Sequence, residues 1–151
     1  PREGEQDGVD YYYVTEEKFK EDIANGNLLE HNYFVSHYYG TPKDKTEEMR
    51  NKGVNVLLEI DVNGAKQVMA NCGEDDKPLS FFILPPSLDA LESRIRGRRS
   101  ETEDVIQERL GKAKREMSEA PNYTYSVIND NLEEAAKNIS ALIKEEIAKN
   151  N

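Results

Sequence analysis

An α/β fold, with parallel strands layered between helices, is what this sequence predicts, and three observations predict it. Two apolar runs, VNVLLEIDV at 54–62 and LSFFIL at 79–84, have the character of strands buried on both faces. Stretches with helical periodicity alternate with them, which implies a three-layer sheet with right-handed crossovers. Residues 1–45 differ in character. They are rich in Gly, Asn and Glu and hold six of the eight tyrosines, which reads as a small mixed sheet with one helix.

In chain order, β-prone runs at 10–14 and 32–39 flank a helix over 15–24. Thr15 suits its N-cap with Lys18 at the third helical position, and Glu16 and Glu17 lie in the first turn, where the helix dipole favours anions. Asn25-Gly26 closes it. From residue 46 the alternation begins. The strand 54–62 leads to a short helix over 63–72, and the strand 79–84 is stopped by Pro85-Pro86. Ser87 caps a helix running through Leu91 and Ile95, and a long charged helix covers 103–117. A third strand at 123–128 precedes an amphipathic helix over 132–148, with Leu132, Ala136, Ile139, Ile143 and Ile147 on one face. The expected division is therefore 1–45 and 46–151. Neither an internal repeat nor a low-complexity linker interrupts it.

Composition bounds the function. With 151 residues, 36% hydrophobic and 33% charged, the chain has room for one ordinary domain with a small insertion. No apolar run approaches the roughly 18 residues of a membrane span, so no membrane partner is expected. A net charge of -10 argues against a nucleic-acid surface, which needs a broad basic face. Cys72 stands alone, which excludes an internal disulfide framework, fits a reducing compartment and suggests packing or a tolerated surface thiol. The chain opens at Pro1 without an initiator Met, and a missing or processed N-terminal piece is expected.

Against this acidic background, Arg94, Arg96, Arg98 and Arg99 fall within six residues, in SRIRGRRSETED. Such a knot suits a small, highly charged anion, or forms a solvated helix end paired with Glu101, Glu103 and Asp104. Open α/β sheets bind ligands beyond the carboxyl ends of their strands. There the run 54–62 places Glu59 and Asp61 on one side, able to hold a hydrated Mg²⁺, to accept hydrogen bonds from a base or ribose, or merely to cap and pair. Asn129-Asp130 ends the third strand, and its spacing favours capping of the last helix. Tyr38-Tyr39-Gly40-Thr41 offers hydroxyls round a flexible glycine, though sheet filling is the default role of such tyrosines. Glu30 follows Leu28 and Leu29; a carboxylate in a partly apolar pocket accepts two N–H groups from a purine edge and selects guanine over adenine. His31 and His37 are six apart with no Cys nearby, so metal ligation by them is not expected.

Taken in order, PREGE with Gly8, Asp10-Tyr11, GNLLE at 26–30, YYGTP at 38–42, LLEIDVNG at 57–64, ILPPS at 83–87, RIRGR at 94–98 and VIND at 127–130 closely resemble guanylate kinase. The resemblance runs from residue 1 nearly to the end. It implies a P-loop kinase fold: a parallel sheet, a small α+β GMP-binding subdomain over 1–45, and a core over 46–151 with a helical lid at about 94–112. It implies transfer of the γ-phosphoryl of ATP, with Mg²⁺, to GMP or dGMP in the cytoplasm, by a monomer or homodimer. By the same resemblance Arg2, Tyr11 and Tyr39 bind the GMP phosphate, while Glu30, Thr41 and Asp61 read guanine. Glu59 matches the acidic position near the magnesium, reached through water. Arg94, Arg98 and Arg109 match lid arginines at the transferring phosphate, Arg98 on the ATP side, and Asn129 matches a position near adenine.

The departures are equally specific. The family's N-terminal strand and its GxxGxGK[ST] phosphate loop have no counterpart in this chain, and GxxxxGK[ST] occurs nowhere in it. Without that loop the chain as it stands is expected to be incomplete for catalysis. Arg99 and Ser100 replace a usual Gly and Thr, His31 an aromatic, and Asn131 an acidic residue. Besides the kinase, two other readings exist: a catalytically inactive guanylate-kinase-like module that binds a phosphopeptide or GMP, and an acidic α/β domain without ligand. Arg2, Glu30, Asp61 and the lid arginines together favour the kinase.

Overall fold

A computed structural model describes residues 1–98 and 101–150, with the backbone alone at Arg98. Arg99 and Ser100, singled out in the sequence, lie outside the described residues. The chain forms two compact units, Pro1–Lys77 and Pro78–Asn151.

The first unit is built on a hairpin. Helix α1 (Glu16–Ala24) forms as its caps dictate: Thr15 Oγ1 accepts from the Lys18 N–H at 3.2 Å. Gly26 takes φ 67°, and the Asn27 N–H reaches back to the Asp22 carbonyl at 2.9 Å, a left-handed glycine stop. Strands β1 (Leu28–Phe34) and β2 (His37–Pro42) pair antiparallel, with Glu30 opposite Thr41, His31 opposite Gly40 and Asn32 opposite Tyr39. The single β-run expected over 32–39 is thus folded in two. Val35 and Ser36 carry the turn at φ 49° and 64°, without the Asn-Gly or Gly-Gly pair that ordinarily announces it. Gly40 is required by packing, since a Cβ there would meet the Glu30 carbonyl oxygen at 2.9 Å and the Phe19 ring at 3.0 Å. The β-prone run at 10–14 makes only a bridge from Tyr11 to Asp7.

Helix α2 (Lys43–Asn51) has no counterpart among the elements expected from the sequence. It buries no residue, so no apolar stripe marks it; Arg50 pairs with Asp76, and Lys52 with Glu48 at 2.7 Å. Segment 54–61 forms neither helix nor strand and joins no sheet among the described residues. The doubly buried strand expected there is therefore corrected: Leu57 is 77% exposed. A strand exists through its ladder of hydrogen bonds, and apolar character without a partner does not make one. Asp61 then caps helix α3 (Val62–Asn71), accepting from the Gly64 N–H at 2.8 Å.

In the second unit, β3 (Phe81–Leu84) and β4 (Tyr125–Ile128) pair in parallel, Phe81 beside Tyr125 and Leu84 beside Ile128. Between them run α4 (Leu88–Arg98), where Ser87 Oγ accepts from the Ala90 N–H at 3.0 Å, and α5 (Glu103–Met117). Helix α6 (Leu132–Lys149) starts at Asn131, whose side chain accepts from the Glu134 N–H at 3.1 Å. Its packed face keeps Ile139, Ile143 and Ile147 of the expected one, all half-buried, but begins at the buried Ala135, while Leu132 is 73% exposed. The helix lies on β4, where Val127 is buried and Tyr125 donates its hydroxyl to Glu146 at 2.5 Å. Ile106, Leu110 and Ala120 complete the buried apolar set among the described residues.

Candidate functional site

Glu30 is the buried charged residue of the described chain, at 7% exposure. Its position follows from β1: the hairpin sets it opposite Thr41, whose Oγ1 donates to Glu30 Oε1 at 2.8 Å. Its other oxygen lies against Gly64, in the first turn of α3, where a Cβ would stand only 2.6 Å away. Burial pushes the Glu30 carboxyl above its ordinary value; the Thr41 hydrogen bond opposes that shift and the neighbouring Asp61 charge reinforces it. Asp61 uses one oxygen to cap α3 and accepts from Asn32 Nδ2 at 2.5 Å with the other. The structure thus brings Glu30, Thr41 and Asp61 into one neighbourhood, with Asp61 serving as a cap as well.

A second cluster in this unit gathers aromatic hydroxyls. Tyr11 and Tyr39 have ring centroids 6.0 Å apart, and Tyr13 lies 5.9 Å from Tyr11. Glu5 joins this group to Arg2: it accepts from the Arg2 backbone N–H at 2.9 Å and from the Tyr13 hydroxyl at 2.7 Å. These two bonds hold the Glu5 carboxyl below its usual value, while burial and the Glu5 partner push the Tyr13 phenol up to about 12. Glu5 thereby ties the Arg2 backbone to this group of tyrosines.

In the second unit, Arg94 and Asn129 meet. Arg94 donates to the Asn129 carbonyl at 2.8 Å and to the Asp130 carbonyl at 3.4 Å, beyond the end of β4. Arg96 is forked between Glu92 and Glu103, each contact at 2.7 Å, and Arg109 pairs with Glu101 at 2.9 Å. Arg98 closes α4, and its side chain lies outside the described residues. Glu59 stands exposed on segment 54–61. Among the described residues no cluster of His, Cys, Asp and Glu could hold a metal by itself.

Asn32, Gln67 and Tyr13, which organise this unit, carry no mark in the sequence, and Glu5 and Gly64 are marked there only as members of PREGE and LLEIDVNG, not for the contacts they make. Each acts on a neighbour distant in sequence or through backbone, so no periodicity betrays it. Gly64 had a further signal, as a glycine placed inside a helix.

A family model described as guanylate kinase matches residues 1–146. A guanylate kinase of Mesoplasma florum is 46% identical over all of this chain and 50% of its own length. One of Lactobacillus acidophilus is 45% identical over 97% of this chain and 70% of its own. The chain thus spans about half the length of the first and rather more of the second. In fold it is similar to the crystal structure of guanylate kinase from Anaplasma phagocytophilum, with a TM-score of 0.75 and 34% identity over 97% of this chain and 70% of that one.

Proposed function

Because the chain belongs to the guanylate kinase family and has its α/β fold, we propose that it binds GMP, or dGMP, as the acceptor of the γ-phosphoryl group of ATP. The observation that carries this reading is Glu30, a buried carboxylate with a hydroxyl donor on one oxygen. Guanine presents two parallel N–H donors on one edge; adenine has an acceptor there and repels a carboxylate. Glu30 accepts the pair, and Thr41 and Asp61 complete the edge. Residues 1–45 act as the acceptor subdomain, with Arg2, Tyr11 and Tyr39 on the GMP phosphate.

In the transfer a GMP phosphate oxygen forms a bond to the γ-phosphorus, the bond from that phosphorus to the β–γ bridging oxygen breaks, and ADP leaves. The chain supplies no covalent group to this step, only position and charge. Residues 46–151 form the core, with Arg94, Arg98 and Arg109 of the lid at about 94–112 neutralising the moving charge. Guanidinium forks suit phosphate oxygens, and a closing lid excludes water as it delivers them. Arg98 and Asn129 serve the ATP side. Mg²⁺ accompanies ATP: it keeps several waters and uses few carboxylates, which suits the lone exposed Glu59 reaching it through water. When bound, the ion neutralises phosphate charge. No GxxxxGK[ST] lies in these 151 residues, so they do not themselves supply the cradle for the β- and γ-phosphates. The acidic chain, its lone Cys72 and its nucleotide substrates suit the cytoplasm, and a monomer or homodimer suffices.

Calorimetric titration with GMP, AMP and a phosphoserine peptide tests the reading. GMP should bind well above AMP, and Glu30→Ala should abolish that preference. A folded sample that takes the peptide and neither nucleotide would sink it.

A further inference from the structure

We propose that Gln67 and Gly64, both on α3, are positioning residues that set the guanine selectivity of Glu30. The inference rests on the reading of Glu30 as the guanine acceptor, and it concerns residues to which no contact with GMP is assigned above.

Asp61, Gly64 and Gln67 recur at intervals of three, so they share one face of α3, the face that packs on β1. Each holds one of three successive β1 residues. Gly64 is buried beside Glu30, and an added Cβ would stand 2.6 Å from Glu30 Oε2 and 3.2 Å from its Cδ. The carboxylate therefore rests on bare helix backbone, and any larger residue there would displace it. Gln67 clamps the next residue: its Oε1 accepts from the His31 N–H at 3.0 Å and its Nε2 donates to the His31 carbonyl at 2.8 Å. In an antiparallel pair alternate residues turn both backbone groups away from the partner strand. Gln67 occupies both groups of His31, taking the place of a third strand at that point. Asn32 is then tied to Asp61 at 2.5 Å.

The consequence is geometric. Two parallel N–H···O bonds to one carboxylate weaken steeply once the acceptor is rotated or shifted. Thr41 holds Glu30 from one side only, at 2.8 Å. The amide clamp fixes the rotation of β1 immediately after Glu30, and the glycine fixes how deep the carboxylate sits. Together they hold the acceptor to the tolerance of about 0.5 Å that a selective site requires. A purely structural clamp would stabilise the hairpin and leave nucleotide choice alone.

The test is calorimetric titration of the full chain with GMP and IMP, which share ribose and phosphate, while IMP lacks the 2-amino group. Wild type is compared with Glu30→Gln, Gly64→Ala and Gln67→Met, the last keeping side-chain volume and losing both hydrogen bonds. Gln67→Met and Gly64→Ala should each weaken GMP about tenfold and IMP about threefold, as two misplaced hydrogen bonds weaken more than one. The GMP:IMP ratio then falls in each variant while the melting curve stays cooperative. Equal losses for both nucleotides, or an unmoved GMP affinity, would overturn the proposal. Should Gln67→Met not fold, Gln67→Glu keeps the bond from the His31 N–H, removes the other, and is expected to lower the same ratio. If Glu30→Gln itself leaves the ratio unchanged, the guanine reading fails, an outcome distinct from a Glu30 effect without a Gln67 or Gly64 effect.

Discussion

The neighbourhood of Glu30 and the arginine-rich stretch of α4 and α5 are anchored in opposite ways. Glu30 is at 7% exposure, wedged between the Thr41 hydroxyl and the bare backbone of Gly64. Arg94, Arg96 and Arg109 are exposed, and each rests on a surface partner: backbone carbonyls beyond β4, the pair Glu92 and Glu103, and Glu101. Base selection needs a geometry built before the ligand arrives, because an acceptor that must move loses its discrimination. Charge neutralisation needs cations that can be exchanged. A guanidinium in an exposed ion pair gives up little when it turns to a phosphate, since such pairs are worth about 1 kcal/mol or less. The two kinds of anchoring match the two tasks proposed for them.

The largest expected effect breaks the comparison at its buried side. Glu30→Ala leaves two guanine N–H groups unpaired, a loss of about 3 kcal/mol, or roughly a hundredfold in GMP affinity. Arg109→Ala, which disturbs only an exposed pair, should change GMP affinity less than about twofold, the scale of a screened surface charge. Titration of both variants decides the matter. Comparable losses in the two would mean that the arginine stretch also builds the acceptor site, and the contrast would collapse.

Next in size is Gly64→Ala. A Cβ 2.6 Å from Glu30 Oε2 must push the carboxylate or bend the helix, and overpacking of this kind costs about 1–3 kcal/mol. Gly73→Ala is the control, since nothing lies within 4 Å of a Cβ there and its φ is -73°. Thermal melts should show a lowered midpoint for the first and none for the second. An unshifted Gly64→Ala would mean that the Glu30 pocket is softer than its geometry says.

Acidity sharpens the same contrast. The Glu30 carboxyl is raised by burial, so as pH falls it protonates before an ordinary carboxyl. Only the carboxylate accepts both guanine N–H groups, so GMP affinity should decline through that raised value as pH drops. AMP shares the phosphate titration of GMP and serves as reference. The GMP:AMP ratio should carry an acid limb that disappears in Glu30→Gln. A limb that persists would assign the titration elsewhere.

How much of this could be read from the chain divides along the same line. Helix starts were legible at Thr15 and Ser87, each of which accepts from a backbone N–H three residues on, whereas the last helix is capped by Asn131 and not by the Asn129-Asp130 pair whose spacing suggested it. Glu30 and Thr41 were legible as candidates because their motifs are compact. Their juxtaposition depended on a hairpin whose turn, Val35-Ser36, lacks a turn signature. The strand expected at 54–62 failed because apolar content reports what a segment would bury, and pairing depends on what lies beside it. Helix α2 went unseen because it buries no residue and so leaves no apolar period. Gln67 was illegible for a similar reason: its partner is the backbone of a residue 36 positions away.

The smallest effect belongs to the exposed side and carries the opposite pH sign from Glu30. Arg96 holds the Glu103 carboxyl down at about 2, with Gln107 assisting. A carboxyl depressed in the folded chain stabilises it above the unfolded value, about 4.3, and loses that contribution as pH falls toward the folded one. Glu30, raised on folding, does the reverse: its ionisation opposes folding, and that penalty disappears in acid. The difference in melting temperature between the native chain and Glu103→Gln should therefore be small and positive near neutrality and shrink steadily as pH falls through the folded value of about 2. Raising ionic strength from about 0.1 M to 1 M, which shortens the screening length from about 10 Å to about 3 Å, should shrink it as well. The corresponding difference for Glu30→Gln should hold steady against salt, because its cause is burial. A salt-insensitive Glu103 effect would place that carboxylate in a sheltered site and erase the distinction between fixed and exchangeable charge on which the division of labour rests.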